Sequence, residues 1–181
     1  MNEVLKAIAT RYSCRDFSPE KLKKEDVSAI VNAALAAPSA MNMQPWHVIV
    51  VEDKALIEEM DTAAMEVVKK DEAWYKRMVE RGGKIFYDAP CVIFIASDGT
   101  KFSTLDSGIV SQNIALAAHS LGLGSVICAM ANIPLTSERG DEFKRRIKLP
   151  EGFDFGMAVC VGAAKSGKEP HELNPTKVTY I

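Results

Sequence analysis

Two short stretches carry the residue types in this 181-residue chain that could do chemistry. The first is TRYSCRDF, residues 10–17, in which Arg11, Ser13 and Arg15 recur at i, i+2 and i+4. In an extended segment all three share one face, and in a helix the two arginines still do. Guanidinium forks offer paired donors matched to two phosphate oxygens, and a hydroxyl or backbone amide can supply a third. The same residues also suit a solvated surface with incidental ion pairs, so taken alone they leave both readings open. The second stretch is APSAMNMQPWHVIVV, residues 37–51, where two prolines flank Ser39, Asn42 and Gln44. Each amide side chain brings one acceptor and two donors, the set needed to read the edge of a heterocycle with imide carbonyls and ring N–H groups. A capped turn also accounts for this composition.

The chain-wide totals narrow the partners. Twenty-two Lys and Arg against 24 Asp and Glu leave a net charge of −2, so no bulk positive field recruits nucleic acid or an anionic membrane. Any anion site must be local. No apolar run reaches membrane-spanning length, and MNEVLKAIATRYS reads as a short amphipathic helix rather than a signal peptide. Cys14, Cys91, Cys128 and Cys160 are scattered, with no CxxC pair and no His at metal-ligand spacing. They read as reduced cysteines of a cytoplasmic protein, three of them in strand-like core runs, and no metal site is expected.

The elements that must position the two stretches follow from periodicity. EDVSAIVNAALAA, residues 25–37, has helical apolar spacing and is stopped by Pro38. HVIVVED, residues 47–53, is a β-branched run that predicts a strand covered on both sides. Residues 54–82 read as helical up to Gly82-Gly83, and CVIFIASD, residues 91–98, as a second buried strand. Residues 103–121 form the most apolar helix, ended by Gly122 and Gly124, and apolar on several faces, which makes it central. SVICAM, residues 125–130, reads as a strand, GDEFKRRIKL as a short basic helix and GMAVCVGAA, residues 156–164, as another strand. The terminal VTYI looks like an isolated strand in need of a sheet. With no repeat and no linker, the pattern is one α+β domain with a mixed or mostly antiparallel sheet.

Taken in order, the RxSxR segment, PSAMNMQPWH, FYDAPCVIFI, DSGIVSQNIALAAHSLGLGS and the terminal VTYI resemble the nitroreductase family of FMN-dependent flavoproteins, over nearly the whole chain. The resemblance implies a single domain over residues 1–181 in a three-layer fold, its mixed or antiparallel sheet flanked by helices. It also implies a homodimer that exchanges C-terminal strands and holds FMN at the interface. Carried over position by position, Arg11, Ser13 and Arg15 match the motif that holds the phosphate and ribityl chain, with Arg15 also reaching toward the ring. Tyr12 in the same motif would contribute backbone contacts. Pro38, Ser39 and Ala40 match a segment that approaches the flavin of the other subunit, and Asn42 and Gln44 match polar positions near the ring. Ile127, Cys128 and Ala129 match the stretch whose amides approach flavin N5 and O4. The tail departs from the family's basic pair, and Lys168 and His171 stand where it would be, with Lys165 and Lys177 as alternatives.

Because flavin carries the difficult chemistry, the resemblance needs no catalytic side chain beyond those that bind and tune it. The implied activity is ping-pong transfer of hydride from NAD(P)H through FMN to nitroaromatics, quinones or similar conjugated acceptors. Other readings within the resemblance are a same-fold enzyme of enone reduction or reductive dehalogenation, and a flavin-binding module without turnover. GLG after the long helix is no GxGxxG following a strand, so NAD(P)H would be a transient substrate. His47 and His119 read as structural histidines, and Trp74, Tyr75 and Phe86 as either a lid or helix packing.

Overall fold

The computed structural model describes residues 2–181; Met1, first in the segment read as the N-terminal helix, lies outside them. Two apolar runs make the centre. β2 (Cys91–Ser97) and β4 (Asp154–Gly162) pair antiparallel, and β1 (Trp46–Val51) and β3 (Gly124–Ile127) form the two edges, in the order β1-β2-β4-β3. All three ladders are antiparallel. Alternation along the strands sorts their side chains between two cores. Val92 and Phe94 of β2 and Ala158 and Cys160 of β4 face one, while Ile93, Ile95, Val159 and Val161 face the other.

Helices cover each core. Met60 and Ala64 of α3 (Lys54–Val68), Met78 of α4 (Glu72–Glu80), Leu135 of α6 (Asn132–Leu135) and Phe143 of α7 (Gly140–Arg146) close the first. Ile30 and Ala34 of α2 (Lys24–Leu35) with Val110, Ile114 and Ala118 of α5 (Ser103–Ser120) close the second. The result is the expected three-layer α+β fold. α1 (Glu3–Thr10) lies outside it and buries no residue of its own.

Several expectations are corrected. The first strand is an edge, with only Trp46, Val51 and parts of its middle residues covered, because no strand pairs with its outer side in this chain. Residues 54–82 are two helices, since Asp71 accepts from Trp74 N and starts α4 afresh. The strand read over 125–130 stops at Ile127, and a 3-10 turn, Ala129–Ala131, follows. Of the two alternatives left open, the antiparallel sheet is the one formed, with an isolated parallel bridge between Ser13 and Ser125 among the described residues. Residues 178–181 join no strand of their own chain and are exposed. Gly122 ends α5 as expected, but Gly124 belongs to β3.

That glycine has another task. Gly124 and Gly162 face each other across β3 and β4. A Cβ on Gly124 would meet Cys14 Cβ and Sγ at 2.9 Å, and one on Gly162 would meet Phe17 Cδ1 at 3.0 Å and Pro90 Cδ at 2.6 Å. The pair of missing side chains is the slot into which the residues after α1 fit.

Candidate functional site

The chain leaves α1 at Arg11, whose N–H donates to Ala7 O (3.0 Å) and whose backbone is already extended. It then runs beside the outer edge of β3: Cys14 N donates to Ser125 O (2.9 Å), Ser18 N to Ala163 O (2.8 Å) and Lys165 N to Asp16 O (3.0 Å). Cys14 and Phe17 point into the core. Of the two conformations open to the sequence, the extended one is adopted, and Arg11, Ser13 and Arg15 stand on the side away from buried Cys14. Arg11 Nη2 donates to Ser13 Oγ (3.2 Å), and Arg11 Nε is buried with no hydrogen-bond partner. A buried guanidinium N–H left without an acceptor is costly. An anion placed here would relieve it, so the donor set fits the phosphate of a nucleotide cofactor.

Two features hold this strip, His119, read from the sequence as a structural histidine, and Tyr87, which sequence reasoning missed. His119, in the last turn of α5, sits 2.8 Å by Nε2 from Thr10 Oγ1, which itself donates to Lys6 O (2.8 Å). With that hydroxyl proton committed, Nε2–H is the donor, and it pins the end of α1 next to Arg11. At the other end Arg15 lies against the hydroxyl of buried Tyr87. Burial raises the Tyr87 pKa above the usual tyrosine value, and the nearby Arg15 guanidinium acts against that rise. Tyr87 and Asp88 both have left-handed backbones, φ 56° and 60°. That turn is held by buried Asp61, whose Oδ1 accepts from Ile85 N (2.7 Å) and Phe86 N (3.1 Å). Burial pushes the Asp61 carboxyl up to about 6. The FYDAP sequence was the available signal for this turn.

Of Ile127 at the end of β3 and Cys128 and Ala129 just after it, two remain suited to meet a ligand. The Cys128 N–H is committed to Ala158 O (2.8 Å) and its thiol donates to Ile85 O (3.3 Å), so Cys128 faces the core. This corrects its expected role as an open amide. Alternation turns the Ile127 amide to the same open edge where Ser125 O meets Cys14, and Ala129 is exposed just beyond. All four cysteines are buried, and although the neighbouring Cys160 lowers the Cys128 thiol below its ordinary value, that thiol faces the core. Burial pushes Cys91 up to about 12 and raises Cys14, and the neighbouring Cys128 together with burial holds Cys160 well above the thiol range.

Tyr12 OH donates to Ser166 O (3.0 Å), which ties the start of the tail to the strip, and Lys165 pairs with Asp16 at 3.7 Å. Lys168 and His171 are exposed further along the tail. Phe86 is fully buried edge-to-face with Phe94, and Trp74 and Tyr75 pack on the first core, so packing accounts for all three.

The loop of residues 38–44 is built separately. Pro38 ends the α2 region, and a 3-10 turn, Ala40–Asn42, leads back to β1. Ser39 Oγ accepts from Gln44 N (2.9 Å), and Asn42 Oδ1 accepts from Gln44 Nε2 (3.1 Å). Met41, Asn42 and Gln44 all have positive φ, at 52°, 55° and 49°. Three strained non-glycine residues in one short loop are the kind of cost kept at functional sites. Yet this loop lies against the first turns of α5, beside Phe102 and Leu105, whereas Arg11 lies beside its last turn at His119. Thirteen residues of helix separate Asp106 from His119, about 20 Å. One chain therefore does not bring its two predicted patches together.

Among the described residues no group of three or more His, Cys, Asp or Glu side chains is placed to hold a metal ion, and no helix is long and apolar enough to cross a membrane.

Residues 8–163 match the Nitroreductase family. A crystal structure of a nitroreductase with bound FMN from Desulfitobacterium hafniense superposes with a TM-score of 0.96 and 44% identity, covering 100% of this chain and 99% of that one. A putative NADH dehydrogenase/NAD(P)H nitroreductase of Archaeoglobus fulgidus is 31% identical over 189 residues, 98% of this chain and 97% of its own length. One of the same description from Methanothermobacter thermautotrophicus is 34% identical over 154 residues, 82% of this chain and 71% of its own length.

Proposed function

This chain belongs to the nitroreductase family, and from that premise we propose that it is an FMN-dependent oxidoreductase taking hydride from NAD(P)H and reducing nitroaromatics, quinones or similar conjugated acceptors. The observation that carries the reading is the buried, unpartnered Arg11 Nε beside Ser13 on the edge of β3. It is an anion site at the position where the resemblance to FMN-dependent nitroreductases puts the cofactor phosphate.

FMN, when bound, supplies the redox chemistry, accepting hydride and passing reducing equivalents to the acceptor. The chain's own residues bind and tune it. Arg11 and Ser13 hold the phosphate end, with the Tyr12 backbone beside them. Arg15, next to Tyr87, would bring a fixed positive charge toward the ring and tune its electronics. The Ile127 amide on the open edge of β3, with Ala129 in the turn just beyond it, would serve as donors to the ring. Lys168 or His171 would supply a further donor for the phosphate from the tail.

Pro38, Ser39, Ala40, Asn42 and Gln44 belong, in this reading, to the site of a second copy. The roughly 20 Å between the two patches supports a homodimer with each flavin shared. The exposed tail supports exchange of C-terminal strands, and the free outer edge of β1 offers a place for one. Residues 1–181 act as one FMN-binding domain, and four free buried cysteines suit a reducing cytoplasm.

Purified protein is expected to be yellow, to release FMN on denaturation and to bleach anaerobically when NADH or NADPH is added. Colourless protein that takes up no FMN would contradict the assignment.

A further inference from the structure

Where the chain leaves the arginine strip, it meets the β1–α3 connection and the turn before β2 around a cavity of about 240 Å³. That lies just below the range of drug-sized sites, so the cavity suits a small molecule. Phe17, Pro19, Ile57, Ala89 and Pro90 supply apolar walls. None of Arg11, Ser13, Arg15, Ile127 or the 38–44 loop borders it, which separates it from the proposed flavin site.

Most of the charge around the cavity is already answered. Lys54 pairs with Glu58 at 3.7 Å, Lys165 with Asp16 at 3.7 Å, and Asp88 with Lys84. Lys21 and Glu52, of opposite sign, are both exposed. Asp61 alone among the charged lining residues is buried, at 6% exposure. Its Oδ1 takes both bonds from the Ile85 and Phe86 amides, whereas Oδ2 accepts from no described residue and is not sealed from solvent. Burial, opposed in part by those amides, pushes the carboxyl up to about 6, so at neutral pH it is charged and poorly hydrated. A carboxylate in that state gains most from a cation that brings its own N–H donors. Among the described residues no three His, Cys, Asp or Glu side chains converge to hold a metal ion, which leaves an organic cation whose body fits the apolar walls.

We propose that this cavity is a second ligand site, built for a compact hydrocarbon carrying one ammonium group, with Asp61 Oδ2 accepting from the ammonium and Phe17, Ile57 and Pro90 holding the hydrocarbon. The site stands independently of the flavin reading, since Asp61 and these wall residues are assigned no part in holding FMN.

The test is calorimetric titration of the protein as purified with three saturated probes of similar shape: cyclohexylmethylammonium, cyclohexylmethanol and cyclohexanecarboxylate. Their rings are not aromatic and do not stack on a flavin. The cation should bind about tenfold more tightly than the alcohol, and the carboxylate most weakly. Asp61→Asn, which keeps an acceptor for the Ile85 and Phe86 amides, should bring cation and alcohol to similar affinities, with the melting temperature as the check on folding. Amide shift mapping of the wild type with the cation should move Phe17, Ile57 and Ala89. Equal affinities for the three probes in the wild type overturn the proposal, and that comparison needs no variant. A cation preference retained in Asp61→Asn overturns it too. Asp61 also borders a more open groove between α3 and α4 that includes Tyr75, Val79 and Gly83. Shifts confined to those three residues place the cation there and overturn the assignment to this cavity. Displacement of FMN by the cation does the same, because it places the probe in the flavin site.

Discussion

Arg11 is the residue on which the cofactor assignment turns, because its Nε is buried without an acceptor while its Nη2 already serves Ser13. Charge-assisted hydrogen bonds contribute roughly 1.5–3 kcal/mol each. Arg11→Ala should therefore weaken FMN retention by about tenfold or more, measured by flavin fluorescence on dilution, with melting of the apo-protein little changed. Arg11→Lys should recover only part, since an ammonium lacks the fork. Equal retention by all three proteins would count against the site. Asp61 makes a second prediction. Its folded pKa, about 6, lies above the unfolded value near 3.8, so the folded state binds the proton more tightly between them. Stability contributed by the protonated form is present at low pH and lost as pH rises from about 4 to 6, on the order of 3 kcal/mol in total. Asp61→Asn keeps an acceptor for the Ile85 and Phe86 amides and should flatten that slope in melting curves from pH 4.5 to 8. Asp61→Ala should be less stable than wild type throughout, because both amides lose their partner. The spacing of Arg11, Ser13 and Arg15 left an anion site and a solvated surface both open, and only the resemblance over the whole chain favoured the first. The roles of Tyr87 and His119 were not legible, because they depend on a left-handed turn and on two distant helix ends meeting.

At the scale of elements, the site is an edge of a sheet made approachable by a glycine. Adding a methyl at Gly124 forces contact with Cys14 Cβ and Sγ, both 2.9 Å from the added atom. Overpacking of this kind costs about 1–3 kcal/mol and displaces whichever neighbour is less firmly held. That neighbour is the 11–15 strip, tied to β3 by the Cys14–Ser125 bond. Gly124→Ala should accordingly lower FMN affinity in equilibrium titration by a larger factor than Ala substitution at Gly167, a site with open space around it. Similar affinities would show that the strip is positioned by something else. The strands were readable as apolar runs, but β1 was misjudged as covered on both sides. A β-branched run records that cover exists and says nothing of which chain provides it. The same holds for α5, apolar on several faces, which leaves Leu105, Phe102 and Leu121 exposed in a single chain.

At the scale of the whole molecule, α1 turns Val4, Leu5 and Ile8 to solvent, and the tail ends in Val178, Tyr180 and Ile181, with Tyr180 93% exposed. In the proposed homodimer this apolar surface is covered by another copy of the chain. That dimer also explains why the sequence placed Arg11 and Asn42 in one site while a single chain holds them at opposite ends of a helix. The central claim, that each FMN site is assembled from the arginine strip of one copy and the 38–44 loop of the other, has a direct test. Arg11→Ala and Ser39→Trp chains are co-expressed with different tags, the mixed dimer is isolated by tandem purification, and bound FMN is counted. Each variant alone should hold little flavin. In the mixed dimer one site inherits both lesions and the other inherits neither, so the expected result is one FMN per dimer. A mixed dimer as empty as its parents would mean that each chain builds its site alone, and would contradict the account.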